Sequence, residues 1–188
     1  MMPLEEARTE VDGWIRMKLK TGKCSELLRS EIAEGMRQCT ISAFAIYDEI
    51  GQMEGSDAPR RNGTKPAAPL RYELSDIMHK HYRSSMAINL DNHWKRRDSQ
   101  AQLRKIWNEF QHDGDAGKAA YDIVLGGHQA RHAVSQMTGE WIVYAELAGV
   151  NCYLTLASHN EPDRDRAIKE RVRSCFAEFP KLAAQLGW

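Results

Sequence analysis

The stretch "EWIVYAELAGVNCYLTLAS", residues 140–158, decides how this chain folds. Two runs rich in aromatic and β-branched residues flank Ala148–Gly149, and both suit strands rather than helices. A two-residue turn there sets Trp141, Val143, Ala145 and Leu147 on one face with Val150, Cys152, Leu154 and Leu156. The other face takes Ile142, Tyr144, Tyr153 and Thr155, with Glu140 and His159 near the open end. A lone two-stranded hairpin is marginal in water. It must lie against helices, or extend with strands hidden in segments that read otherwise.

The flanking sequence reads mostly as helix. Downstream, "NEPD" opens a closing helix, with Asn160 or Glu161 near its cap and Pro162 in the first turn. Its apolar side is Ile168, Val172, Cys175, Phe176 and Phe179, and Pro180 is expected to stop it. At the other end, Leu4, Ala7, Val11, Trp14 and Ile15 give one helical stripe over 4–19, which Gly22 breaks. Ser25 is the expected N-cap of the next helix, over 25–53, in which Leu28, Ile32, Met36, Cys39, Ala43, Ile46 and Ile50 recur over six turns. Residues 55–69, "GSDAPRRNGTKPAAP", read as a loop or linker. From Leu70 the spacing of Leu74, Ile77, Met78, His81, Ser85 and Ile88 predicts another helix. Leu103, Ile106, Trp107 and Phe110 mark a further one, with Trp107 expected in the core. After a turn at "HDGD", a last internal helix begins near Ala116.

The expected fold class is therefore α+β: predominantly helical, with a C-terminal antiparallel β-hairpin, alone or within a small sheet, and a closing helix. We expect one domain over 1–188, in which 1–54 is a helical hairpin, 55–69 a connector and 70–188 the unit carrying any active centre. At 188 residues such a chain buries about 70% of its unfolded surface and needs no staples.

Composition narrows the function classes. Hydrophobic content of 42% with 28% charged residues is ordinary for a globular chain. No apolar run approaches the roughly 20 residues that cross a bilayer. The opening "MMPLEEARTE" lacks the pattern of a secretory signal, so the cytoplasm is the expected address. Cys24, Cys39, Cys152 and Cys175 form no CxxC pair and read as inert thiols, Cys39 and Cys175 at apolar helix positions. There is no P-loop, GxGxxG, GxSxG or HExxH. No cofactor is expected.

The net charge is zero but unevenly spread. Residues 1–57 hold 7 bases and 11 acids, 58–111 hold 11 and 5, and 112–188 hold 8 and 10. The electropositive middle can focus potential toward an anionic ligand. Within it, "DIMHKHYRSS" at 76–85 supplies His79, His81, Tyr82, Arg83 and Ser84. With His159 from the hairpin end, and Glu140 as a partner, these form the candidate catalytic set. Paired imidazoles can divide general base and acid duty, and an arginine can hold phosphate. Trp94, Lys95, Arg96 and Arg97 are the candidate substrate-binding residues, an aromatic among bases suited to stacking nucleobases while phosphates are neutralised. His128 and His132, at i and i+4, could face one metal ion but bring no third ligand nearby, so no metal site is assigned.

These residues point to a small enzyme acting on phosphodiesters, most concretely a metal-independent endoribonuclease of the bacterial-toxin kind, with RNA or another anion as substrate. The competing reading is a non-enzymatic interaction protein that pairs with a partner or a second copy through helices 4–19 and 25–53. Buried structural histidines would satisfy that second reading equally well.

Overall fold

The computed structural model describes residues 2–56, 64–83, 97–123, 139–159 and 161–188. Its residues separate into two compact units, 1–83 with 139–188, and 84–138. The fold class is α+β, and among the described residues there are seven α-helices and one five-stranded mixed sheet. No described helix is long and apolar enough to cross a membrane.

The first unit is built on the sheet. Its strands are β1 (Lys23–Cys24), β2 (Ala68–Pro69), β3 (Met78–Arg83), β4 (Gly139–Leu147) and β5 (Val150–Ala157), in the order β1-β5-β4-β3-β2. Only β1 pairs in parallel. The β4–β5 hairpin turns at Ala148 and Gly149, whose φ angles of 53° and 78° are both positive, as a type I′ turn requires. A register shift follows: Val143 faces Thr155, yet Tyr144 faces Tyr153, so Leu154 is the extra residue. The bulge corrects one expected position. Leu156 packs with Ile142, Tyr144 and Tyr153 instead of with Trp141 and Val143.

A larger correction concerns residues 78–83. The helix expected from Leu70 onward is instead a short 3-10 turn (Tyr72–Leu74) followed by β3, which pairs along its whole length with β4. The segment "MHKHYR" alternates every second residue, and the hairpin's open edge gains more from a partner strand than from a helix laid across it. Residues 68–69, the end of the Pro-rich connector, extend the sheet as β2.

Helices cover both faces. On one lie α1 (Leu4–Lys18), α2 (Glu26–Arg37) and α3 (Ala43–Met53), which bury Val11, Ile15, Leu28, Ile32, Ile46 and Ile50 against Tyr82, Ile142 and Tyr153. Ser25 caps α2 as expected: its Oγ accepts from Leu28 N at 3.0 Å and donates to the Leu154 carbonyl at 2.6 Å. The expected six-turn helix over 25–53 is interrupted, however. Cys39 takes φ 56°, Cys39 N donates to the Met36 carbonyl and Thr40 N to the Gly35 carbonyl, a Schellman stop after which the chain restarts as α3. Cys39 is therefore exposed and not an apolar helix position. The stripe survives the break because both helices turn the same residues toward one core.

On the other face, a helix α6 (Arg164–Ser174) and a helix α7 (Pro180–Leu186) cover Trp141, Val143, Ala145, Cys152 and Leu154 with Ile168, Val172, Leu182 and Leu186. Pro180 opens α7 rather than ending the closing helix, a position where its missing N–H costs nothing. The numbering between is completed by the second unit, whose described part is α4 (Arg97–Asp113) and α5 (Ala116–Tyr121). Asp115 caps α5 by accepting from Lys118 N at 2.9 Å. Ile106 is buried there, but Trp107 is 60% exposed, contrary to its expected place in the core.

Candidate functional site

Strand geometry decides which side chains of "DIMHKHYRSS" can act together. Alternation along β3 sends His79, His81 and Arg83 to one face, and Met78, Lys80 and Tyr82 to the other. His81 lies opposite Trp141 in the β3–β4 ladder, and His159 stands two residues beyond the end of β5. The sheet thus gathers three imidazoles around one indole.

The His81 and His159 rings stack with centroids 5.3 Å apart and planes within 23°. His79 meets His81 edge-on at 5.3 Å and lies 4.5 Å from Trp141. The Trp141 indole Nε1–H donates to His159 Nε2 at 3.0 Å. An indole N–H can only donate, so Nε2 carries the lone pair and the His159 proton resides on Nδ1. Over the outer face of Trp141, at 4.7 Å, sits the guanidinium of Arg164, which also pairs with Asp165 at 3.1 Å. Arg164 opens α6 just after Asp163, whose left-handed φ of 46° turns the chain into the helix.

This environment favours the neutral form of His79 and His159. Burial is the main cause of a lowered His79 pKa, opposed by a hydrogen bond with the Ala68 backbone and reinforced by His159 and Arg164. His159 is lowered first by burial, then by the positive charges of Arg164 and Lys65. Among the described residues His79 Nδ1 is buried without a hydrogen-bond partner, and the ring packs against Trp141. A shallow recess of about 560 Å³, lined by Glu161, Asp163, Arg164, Asp165 and Arg166, opens at the start of α6.

Not every expected residue joins. Tyr82 is buried on the opposite face, where burial raises its phenol pKa. Glu140 pairs with Tyr82 in the ladder and accepts from the Ser158 hydroxyl at 3.3 Å; burial raises its pKa too. The Tyr82–Glu140 pair alternates in the ladder with His81–Trp141, so both side chains leave from the sheet face opposite the imidazoles. Arg83 shares their face but ends β3, exposed. Ser84, Trp94, Lys95, Arg96, His128 and His132 lie outside the described residues, and of Arg97 only its backbone place at the start of α4 is described. Among the described residues no three His, Cys, Asp or Glu side chains are arranged to hold a metal ion.

Two participants escaped the sequence reading, Trp141 as hydrogen-bond donor and Arg164 as the nearest cation. Reading 78–83 with period two would have aligned His81 with Trp141. Nothing local in "NEPDRDR" distinguishes Arg164 from Arg166.

Comparison with protein-family models, with curated proteins and with solved structures found no match to this chain.

Proposed function

We propose that the imidazole cluster cleaves phosphodiester bonds in RNA without a metal ion, by transfer of the strand to its own 2′-hydroxyl. The observation that carries this reading is the stack of His81 on His159 beside Trp141, whose ring Arg164 covers. His81 accepts the 2′-hydroxyl proton as that oxygen attacks phosphorus, and the imidazolium so formed returns a proton to the departing 5′-oxygen. His159, held neutral by its surroundings, adds no like charge against that imidazolium and offers Nδ1–H to a phosphate oxygen. Arg164, with Arg83 at the end of β3, supplies positive charge where negative charge develops on the phosphate oxygens. His79 packs behind Trp141 and His81 and sets their position.

The test is His81→Ala, followed by RNA cleavage and melting temperature on the same sample. A catalytic His81 gives a folded variant whose turnover falls by about 10²–10⁴-fold. Wild-type cleavage by that variant would remove His81 from the mechanism.

A further inference from the structure

We propose that the hollow beneath Tyr72 is a base-stacking subsite for single-stranded RNA, seating a nucleotide next to the one cleaved. The inference rests on the reading of the imidazole site above but concerns different residues.

Tyr72 is 82% exposed, the most exposed large hydrophobic side chain among the described residues. It also takes φ 56°, a left-handed conformation that a β-carbon makes costly and that persists only where the surroundings fix it. They do so here. Leu74 N donates to the Arg71 carbonyl at 3.2 Å, Ser75 N to the Tyr72 carbonyl at 3.1 Å and Ile77 N to the Leu74 carbonyl at 2.9 Å. Leu70 N closes the loop on the Ile77 carbonyl at 2.8 Å. The neighbouring Glu73 then ties the turn to α6 through a 2.7 Å ion pair with Lys169, whose ammonium lies 5.2 Å over Trp188. A strained backbone, fixed on both sides, holds an aromatic ring out where the protein itself does not use it.

Below that ring is a hollow of about 440 Å³, lined by Arg71, Tyr72, Leu74, Asp165, Arg166 and Lys169. Its volume falls in the ordinary range for small-ligand sites. Three bases stand along its wall with Asp165 and Glu73, Lys169 paired with Glu73 and Arg166 with Glu170 at 3.1 Å, so that Arg71 beside the ring is the cation offered to a phosphate. An exposed ring flanked by bases is the pattern that binds unpaired nucleotides: the base stacks and the phosphates on either side are neutralised. Any base has a π face, so such a contact tolerates sequence.

Position ties the hollow to the imidazoles. Asp165 and Arg166 line both it and the recess that contains Arg164. On the other side, Tyr72 follows Ala68, the β2 residue paired with His79, by only four positions. One strand of RNA therefore has a short path from the phosphate at His81 to a base on Tyr72.

The experiment measures binding apart from cleavage. A fluorescein-labelled, 2′-O-methylated oligouridylate lacks the attacking hydroxyl and reports affinity by anisotropy. Tyr72→Ala should weaken its binding by about 5–100-fold, the worth of one base–aromatic stack, while Tyr72→Phe retains it. Placing a single abasic nucleotide along the probe should weaken wild-type binding at one position and leave Tyr72→Ala indifferent there. Circular dichroism verifies that both variants fold. Absence of wild-type binding, an unchanged affinity in Tyr72→Ala, or equal competition by polyglutamate would each overturn the subsite. Tyr72-dependent binding by a protein that cleaves no RNA would uphold it while removing the proposed reaction. Cleavage that depends on His81 with binding indifferent to Tyr72 would do the reverse.

Discussion

The Trp141 indole donates to His159 Nε2 at 3.0 Å, so that a tryptophan, not an acid, orients this imidazole. Protonation at Nε2 would break that bond and set two N–H groups against each other. Trp141→Phe keeps most of the packing and removes the donor. The His159 pKa should then rise toward the ordinary value, and NMR titration of its ring protons reads it. An unmoved titration would mean that burial, Arg164 and Lys65 set the ring's charge without the indole.

His79 and His159 are both held below the ordinary histidine value of 6.5. As the pH falls through that value the unfolded chain takes up protons first, so the stability tied to these rings is full above it and declines below. Glu31 and Glu140, raised by burial, change in the opposite sense, and a difference measurement is required. Between about pH 7.5 and about pH 5.5, His79→Phe should lose less melting temperature than the wild type. Parallel curves would show that His79 titrates alike in both states.

Glu54 closes the loop between α1 and β1. Its Oε2 accepts from the backbone N–H groups of Lys20, Thr21 and Gly22 at 3.1, 3.1 and 2.9 Å, and its Oε1 from the Tyr153 hydroxyl at 2.8 Å. Burial acts to raise its pKa, but these bonds outweigh it and hold the carboxyl below the usual range. Glu54→Ala removes the acceptor of three backbone N–H groups and of the Tyr153 hydroxyl and should cost about 2–3 kcal/mol in urea unfolding at neutral pH. Because the folded pKa is depressed, the gap between wild type and Glu54→Gln should close as the pH falls below about 4.5. A cost below about 0.5 kcal/mol would mean that water replaces the carboxylate.

Gly22 lies beneath that carboxylate, where an added β-carbon would strike Glu54 and come within 2.9 Å of the Tyr153 ring. Gly22→Ala should therefore destabilise by about 1–3 kcal/mol, although a relaxed loop would gain from alanine. Equal or higher stability by chemical denaturation would show that the loop moves aside.

Ala148 occupies the first central position of a type I′ turn at φ 53°, where asparagine is favoured. Ala148→Asn should raise stability by up to about 1 kcal/mol, and Ala148→Val should lower it. The same ordering read from melting temperatures checks the turn independently.

The β4–β5 hairpin was legible because its turn residues and its alternation agree, and one bulge at Leu154 was enough to misplace Leu156. Residues 77–83 were not. Leu74, Ile77, Met78 and His81 satisfy a helical period by coincidence, while the alternation of His79 and His81 gains meaning only once an open β4 edge is available. Cys39 shows the converse, a left-handed stop hidden inside an unbroken apolar stripe. The histidines were found by residue type. What holds them, Trp141 and Arg164, depends on ladder register and on a single turn at Asp163, neither of which local spacing encodes.

Arg83 and Gly139 face each other at the last rung of the β3–β4 ladder, so the chain between them departs and returns at one place. Closing so long an excursion costs entropy that grows only with the logarithm of its length, and the rung beneath already fixes its ends. The six rungs from Met78–Tyr144 to Arg83–Gly139, rather than the length of the chain that joins them, therefore hold β3 in register with β4.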